Sequence, residues 1–387
     1  MHARIVPHDH PQKSVLCPAY SRQLYSTLLH AFVKKNRIKI PYCACETIRP
    51  DHVTAPDVKQ RARECGFELA GIARAEPMGD AARYRDWADR GLAGEMRYLT
   101  DRRAELRSDP RMLLPSARSI ISVGKLYNVP QPYSTQFNSV ELGWISRYAW
   151  GQDYHYVMRR GLTRLAGMLG EHEYKVCVDT APLLERSYAR MAGLGWIGKN
   201  TCLIHEPLGS WFFLGEILTS LELEADTPAA DRCGSCTRCI DACPTQALTP
   251  YELDARLCIS YFTIELRGPT PETLRSRAGN HVFGCDICQD VCPWNRRAPV
   301  TSEPAFAARH LAPPLEKLAG LSEAEFREMF REAAVARAKY AGFLRNVAVA
   351  MGNSGAAKFR EPLERLAQSH DGMVSEAASW ALRRLTG

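Results

Sequence analysis

The sequence predicts an α+β protein that carries a cysteine-rich segment and ends in a helical tail. Three observations predict it. Strand-like and helix-like stretches interleave over residues 53–225, eight of the 14 cysteines fall between Cys233 and Cys292, and beyond Leu311 the apolar spacing is almost purely helical. Interleaving alone leaves an α/β order open as well. The 387 residues suffice for two or three domains, and 45% hydrophobic with 24% charged residues excludes a disordered or fibrous chain.

Residues 1–52 read as an N-terminal extension, disordered or arising from a start assigned too early. PHDHPQ is loop-like, LYSTLLHAFVKK suits one short helix, and the C-x-C of Cys43 and Cys45 is a weak metal signal. This stretch also distorts the charge. Residues 1–50 hold eight Lys/Arg against two acids, +6 of the net +7, which leaves +1 for residues 51–387. Bulk basicity therefore gives no argument for nucleic acid.

From residue 53 the pattern is regular. PDVKQRARECG has helical spacing, FELAGIARA reads as a strand, and AARYRDWADRG and GEMRYLTDRRAEL read as helices. SIISVGKLY and ELGWISRYAW are strand candidates. DYHYVMRRGLTRLAGMLG is an amphipathic helix, YKVCVDTAP a short strand, LLERSYARMAG a helix, and WFFLGEILTSLEL a strand. Ser322 and Glu325 form a capping box ahead of FREMFREAAVARAKY, and three further short helices follow. Helix pairs of HEAT type or a plain helical cap both fit that tail. No apolar run reaches membrane-spanning length, and the N-terminus lacks the apolar core of a secretory signal, so a cytoplasmic protein is expected.

The strongest motif is Cys233-x2-Cys236-x2-Cys239-x3-Cys243-Pro244, the run found in two-cluster ferredoxins. Cys285-x2-Cys288-x3-Cys292-Pro293 repeats its end, and Cys258 supplies the missing thiolate. The crossing rule of such motifs assigns Cys233, Cys236, Cys239 and Cys292 to one [4Fe–4S] cluster. Cys243, Cys258, Cys285 and Cys288 then hold the other. Structural zinc knuckles are the alternative, disfavoured because four thiolates crowd into one run. Two clusters imply one-electron relay.

Gly193-x-Gly195-x-x-Gly198 matches a dinucleotide fingerprint, but a helix precedes it and β-rich sequence follows. That context is inverted, so the motif reads as a tight turn presenting Lys199 and Asn200 to a bound cofactor. Asp179 stands at the C-terminal end of a strand. Packed against a large apolar cofactor, its pKa would rise and it could deliver a proton. Tyr148, Tyr154 and His155 are candidates for the same pocket.

Several of these stretches together resemble the epoxyqueuosine reductase family. The carriers are GEMRYLTDRRAELRSDPRMLLPSARSII, RYAWGQDYH, VDTAPLLER, GLGWIGKNTCLI and the eight ordered cysteines. The resemblance runs from about residue 56 to the C-terminus. It implies a nitroreductase-like cobalamin-binding domain at 53–225, a ferredoxin-like module at 226–300 and a HEAT-like tRNA-binding domain at 301–387. It implies base-off cobalamin, two [4Fe–4S] clusters, and reduction of the epoxide of epoxyqueuosine to queuosine at the wobble position of tRNA for Asp, Asn, His and Tyr. Asp179 takes the proton-donor role, and Arg102, Tyr148, His155, Lys199 and Asn200 fall in cofactor-contacting stretches. A monomer fed by an external one-electron donor, with no membrane partner, completes the expectation. For tRNA, Arg267 is the first candidate, with Arg345, Lys358, Arg360, Arg383 and Arg384 in the tail. Trp150, Tyr261 and Phe262 are candidate stacking residues.

Overall fold

Helix α1 (Ala55–Glu64) opens on a Thr54–Asp57 capping box, with Pro56 in the first turn, where a missing N–H breaks no helical bond. The computed structural model describes residues 53–137 and 139–386, so the expected extension with Cys43 and Cys45 lies outside the described residues. There follow β1 (Leu69–Arg74), α2 (Asp80–Asp89), β2 (Ser119–Leu126), α3 (Tyr154–Met168), β3 (Tyr174–Cys177), α4 (Glu185–Met191) and β4 (Phe212–Thr219).

The four strands form one sheet in the order β1-β2-β4-β3, with every pair antiparallel. That pairing decides for α+β over α/β. Every residue of β2 is buried, because helices cover both faces of the sheet. The pleat sorts the side chains. Ile72, Ile121 and Ile217 pack with Val58 of α1 and Leu162 of α3, whereas Ala73, Ile120 and Leu218 pack with Tyr188 and Ala189 of α4.

Two expected elements are broken, each by a side chain distant in sequence. ELGWISRYAW is a strand only at Trp144–Ile145, paired in parallel with His281–Phe283. The chain turns there because the Asp286 carboxylate takes the Ser146 hydroxyl and the Arg147 N–H, at 2.5 and 2.8 Å. FREMFREAAVARAKY divides into a helix at Glu323–Met329 and a 3-10 turn at Ala334–Ala338. The Arg267 guanidinium donates to the carbonyls of Arg337 and Ala338, at 3.0 and 3.3 Å, and fixes that turn.

Beyond α5 (Ile259–Ile264) the tail consists of α6 (Tyr340–Ser354), α7 (Arg360–Ala367) and α8 (Gly372–Thr386). One apolar core joins Trp144, Trp150 and Phe283 to Phe330, Phe343 and Trp380. The tail thus shares its interior with the segment that carries RYAW. Among the described residues no helix is long and apolar enough to cross a membrane.

Candidate active site and metal centre

A cavity of about 390 Å³ lies between the sheet and the cysteine segment. Asp179, Tyr148 and Tyr154 line one side of it, and Cys243, Cys258, Cys285 and Cys288 another. A second cavity of about 470 Å³ adjoins it, sharing Asp179, Glu185, Arg186, Thr201 and Leu253. A third, of about 30 Å³, is lined by Cys233, Cys236, Cys239 and Cys292. The eight motif cysteines are thus divided four and four between two spaces.

Asp179 follows β3 directly and holds φ at +49°, a left-handed conformation that is strained for any residue with a Cβ. Two bonds impose it: the Asp179 N–H donates to Glu185 Oε1 at 2.6 Å, and the Thr180 N–H to the Val178 carbonyl at 2.6 Å. His155 Nε2 stands 3.3 Å from Asp179 Oδ2, in ion-pair contact but off the line of a hydrogen bond. Burial pushes the Asp179 carboxyl up, yet His155, the Tyr154 hydroxyl and the charge of Arg337 outweigh it and hold the pKa below the usual value. These neighbours hold Asp179 as a carboxylate, whereas the expected upward shift is tied to packing against a large apolar cofactor. Burial lowers the His155 pKa, but Asp153 and Asp179 on either side bring it up to about 9. The imidazole beside Asp179 is therefore charged at neutral pH.

Behind Asp179 lies a feature with no local signal in the sequence. Glu216, fully buried at the centre of β4, faces Glu185. Burial pushes both carboxyls up, helped at Glu185 by the charge of Asp179 and at Glu216 by that of Glu185, so the pair retains a proton at neutral pH. Two acids 31 positions apart in an apolar strand and an amphipathic helix give no motif.

The cysteine loops are tied down by neighbours. Asp286, between Cys285 and Cys288, is buried and also accepts from Trp144 Nε1 at 3.2 Å. Lys199 Nζ donates to the carbonyls of Gly234 and Cys236, at 2.7 and 3.0 Å. Lys199 therefore anchors the loop of the first thiol set and lines the smallest cavity, not the large one expected for it. Asn200 lines both thiol-bearing cavities and donates to the Cys288 carbonyl at 3.4 Å. The glycine motif makes this placement possible. Gly193 ends α4 at φ +75°, and a Cβ on Gly195 would stand 2.1 Å from the Ile204 carbonyl oxygen. A helix precedes the motif and a two-residue hairpin, Trp196–Ile197 with Leu203–Ile204, follows it.

The thiol sets fit iron–sulfur ligation. Every described cysteine is free, and among the described residues no three His, Cys, Asp or Glu side chains converge tightly enough for a single metal ion. The two adjoining cavities, walled by Phe212, Leu214, Leu248 and Leu253, fit a large, mainly apolar cofactor.

Other expected contacts are placed elsewhere. Arg102 is exposed at the start of a one-turn helix and lines none of the three cavities; Arg107 is the nearby guanidinium in a wall. Arg267 donates to three backbone carbonyls, those of Ile264, Arg337 and Ala338. Arg345 is buried and bonds the carbonyls of Leu266 and Gly268, at 3.0 and 2.6 Å. Trp150 and Phe262 are core residues, and the hydroxyl of buried Tyr261 accepts from the Glu95 N–H at 2.9 Å, so none of the three offers a free stacking face. Lys358 pairs with Glu141 at 2.8 Å, and Arg360, Arg383 and Arg384 are exposed.

Residues 232–295 match a 4Fe-4S double cluster binding domain, and residues 107–180 match the family described as epoxyqueuosine reductase QueG, DUF1730. An epoxyqueuosine reductase of Xanthomonas campestris pv. campestris is 43% identical over 86% of this chain and 97% of its own. A crystal structure of epoxyqueuosine reductase with an epoxyqueuosine-modified tRNA-Tyr stem loop superposes with a TM-score of 0.79 at 30% identity, over 86% of this chain and 90% of that one. A Bacillus subtilis epoxyqueuosine reductase, captured with its catalytic aspartate loop swung out of the active site, gives 0.77 at 29% identity, over 85% and 90%. With the described site geometry and a 43% identical relative covered almost end to end, the chain belongs to the epoxyqueuosine reductase family.

Proposed function

We propose that this protein reduces the epoxide of epoxyqueuosine to the alkene of queuosine at the wobble position of tRNA. The observation that carries this reading is that Asp179 and the inner thiol set, Cys243, Cys258, Cys285 and Cys288, line one cavity. Proton and electrons can thus reach one substrate atom from opposite sides. The overall change adds two electrons and two protons to the epoxide, breaks both C–O bonds and releases water.

Base-off cobalamin would occupy the adjoining cavities, walled by Phe212, Leu214, Leu248 and Leu253, and when bound supplies a strongly reducing, nucleophilic cobalt that no side chain can imitate. The two thiol sets would hold [4Fe–4S] clusters fed singly by an external donor. Asn200, in the wall of both thiol cavities, spaces them. Tyr148, whose buried hydroxyl stays protonated, and Tyr154 close the apolar side and keep water from the reacting oxygen. Asp179 hands the proton to that oxygen, so that a neutral group leaves instead of an alkoxide.

The rest of the reading follows the family. The sheet over 53–225 is taken as nitroreductase-like, 226–300 as ferredoxin-like and 301–387 as a HEAT-like surface for tRNA. Lys358, Arg360, Arg383 and Arg384 are among its exposed cations. Substrates are tRNAs for Asp, Asn, His and Tyr, and the enzyme works as a cytoplasmic monomer. The test is anaerobic assay of the reconstituted protein on an epoxyqueuosine-bearing tRNA stem loop, with Asp179→Asn beside it. The variant is expected to load cobalamin and iron normally and to lose turnover. Full activity of Asp179→Asn overturns the proton-donor assignment, and an inactive wild type overturns the function.

A further inference from the structure

His155 occupies the first turn of α3, two residues after Asp153, the helix N-cap. Asp153 does two things with one oxygen. Its Oδ1 accepts the His155 backbone N–H at 3.0 Å and lies 2.7 Å from His155 Nδ1. The cap therefore fixes the ring and dedicates Nδ1–H to Asp153, leaving Nε2 for Asp179 Oδ2 at 3.3 Å. Tyr154 covers the ring, with centroids 4.3 Å apart. The His155 side chain remains 25% exposed, which leaves a route for protons from solvent. An imidazole between two carboxylates, one of them at the reacting centre, is an arrangement for moving protons and not for packing alone.

Resting on the function proposed above, we infer that His155 is the proton store of the reaction: its Nε2–H recharges the Asp179 carboxylate, while Asp153 holds the ring in the competent orientation. The first proton passes from His155 Nε2 to Asp179 Oδ2 and on to the epoxide oxygen as the first C–O bond breaks. His155, then neutral, takes a proton from solvent. The second proton follows the same path as the second C–O bond breaks and water leaves. Both electrons come from the external one-electron donor through the clusters.

The charges support this order. Asp179 is ionised at rest, so it has no proton of its own to give. The imidazole is charged at neutral pH, with its pKa brought up to about 9. The groups facing the ring and its partner are Asp153 and Tyr154 on its own element, Asp179 after β3, Glu185 on α4 and Arg337 from the tail. A developing alkoxide is far more basic than either carboxylate or imidazole, so net transfer from the imidazolium through Asp179 to that oxygen runs downhill once the C–O bond stretches, although the step onto Asp179 alone is uphill. The off-line 3.3 Å contact needs only a small closure, of the kind that substrate brings about.

Two measurements test this. The first needs no substrate: the rate of carbethoxylation of His155 by diethyl pyrocarbonate, read by mass spectrometry across pH, reports its neutral fraction. Half-maximal reaction is expected near pH 9 in the wild type and well below that in Asp179→Asn. Titration near the free-imidazole value of about 6.5 in both proteins overturns the inference. The second is single-turnover rate against pH in the holoenzyme. His155→Gln is expected to lose about 100-fold at pH 7.5, with cobalamin content and stem-loop affinity unchanged, and to regain rate on acidification. Its alkaline fall near pH 9 should disappear. Wild-type rates and pH profile in His155→Gln overturn the inference, as does a variant that loses cobalamin but keeps a normal rate per bound cofactor. A wild type inactive on the stem loop instead overturns the assigned reaction, and the His155 titration then stands or falls by itself.

Discussion

The backbone N–H of Asp179 donates to Oε1 of Glu185 at 2.6 Å, and this bond holds Asp179 in its left-handed conformation. Glu185 thus sets where the acid stands. A non-glycine residue at positive φ carries strain of about 1–3 kcal/mol, which the loop would release by swinging outward.

Removal of that acceptor should therefore depopulate the inward loop. Glu185→Ala is expected to lower the single-turnover rate about 10-fold or more, a population effect of the size that strain allows. Glu185→Gln, which keeps a carbonyl acceptor, should lose less. Hydrogen exchange of the 178–181 amides reads the loop directly: faster exchange in Glu185→Ala alone is the expected pattern.

The buried pair of Glu185 and Glu216 makes a prediction about stability. Their folded pKa values are raised above those of the unfolded chain, so the folded state retains a proton that the unfolded state releases. That contribution is complete below about pH 4.3, the unfolded value, and is lost as pH rises through the folded values. Thermal unfolding of the holoenzyme should show a midpoint declining across this window, with a slope of up to about 1.4 kcal/mol per pH unit per proton. Glu216→Gln should flatten that decline. An unchanged slope would remove the pair as its source.

Asp286 stands inside Cys285-x2-Cys288 yet serves Trp144, Ser146 and Arg147. Asp286→Ala leaves three buried donors unmatched and should destabilise the protein by about 3 kcal/mol or more. Iron analysis after anaerobic reconstitution is expected to fall toward half the wild-type content, since only the inner thiol set loses its frame.

Lys199→Ala tests the opposite loop. Without the ammonium bridge to the Gly234 and Cys236 carbonyls, the outer thiol set should lose iron faster in air. Cobalamin content should remain unchanged. Loss of cobalamin with intact iron would return Lys199 to the cofactor-binding role first expected for it.

Local pattern revealed most of the elements. The Ser322–Glu325 capping box and the β-branched run in SIISVGKL speak for themselves within a few residues. The cysteine groups were also legible, because cluster chemistry writes its demands as short spacings. Long side chains were not. Lys199, Arg267 and Arg345 look like surface or cofactor cations in the sequence, but each reaches backbone carbonyls that its neighbours in the chain do not supply. Glu216 was invisible for the converse reason: only the register against Ser122 and Cys177 sets a lone acid in a dry strand centre next to another acid.

The shared core of Trp144, Phe283 and Trp380 also orders events at synthesis. Translation runs from the N-terminus, yet Trp144 and Phe283 have no complete apolar shell until α8, which ends at Thr386, has left the ribosome. Cys285 and Cys288 flank the loop that Asp286 ties to this region, so their final geometry waits on α8. Metal loading of the inner site therefore follows the emergence of α8, and a ribosome stalled short of α8 would carry cysteines that are present but not yet positioned.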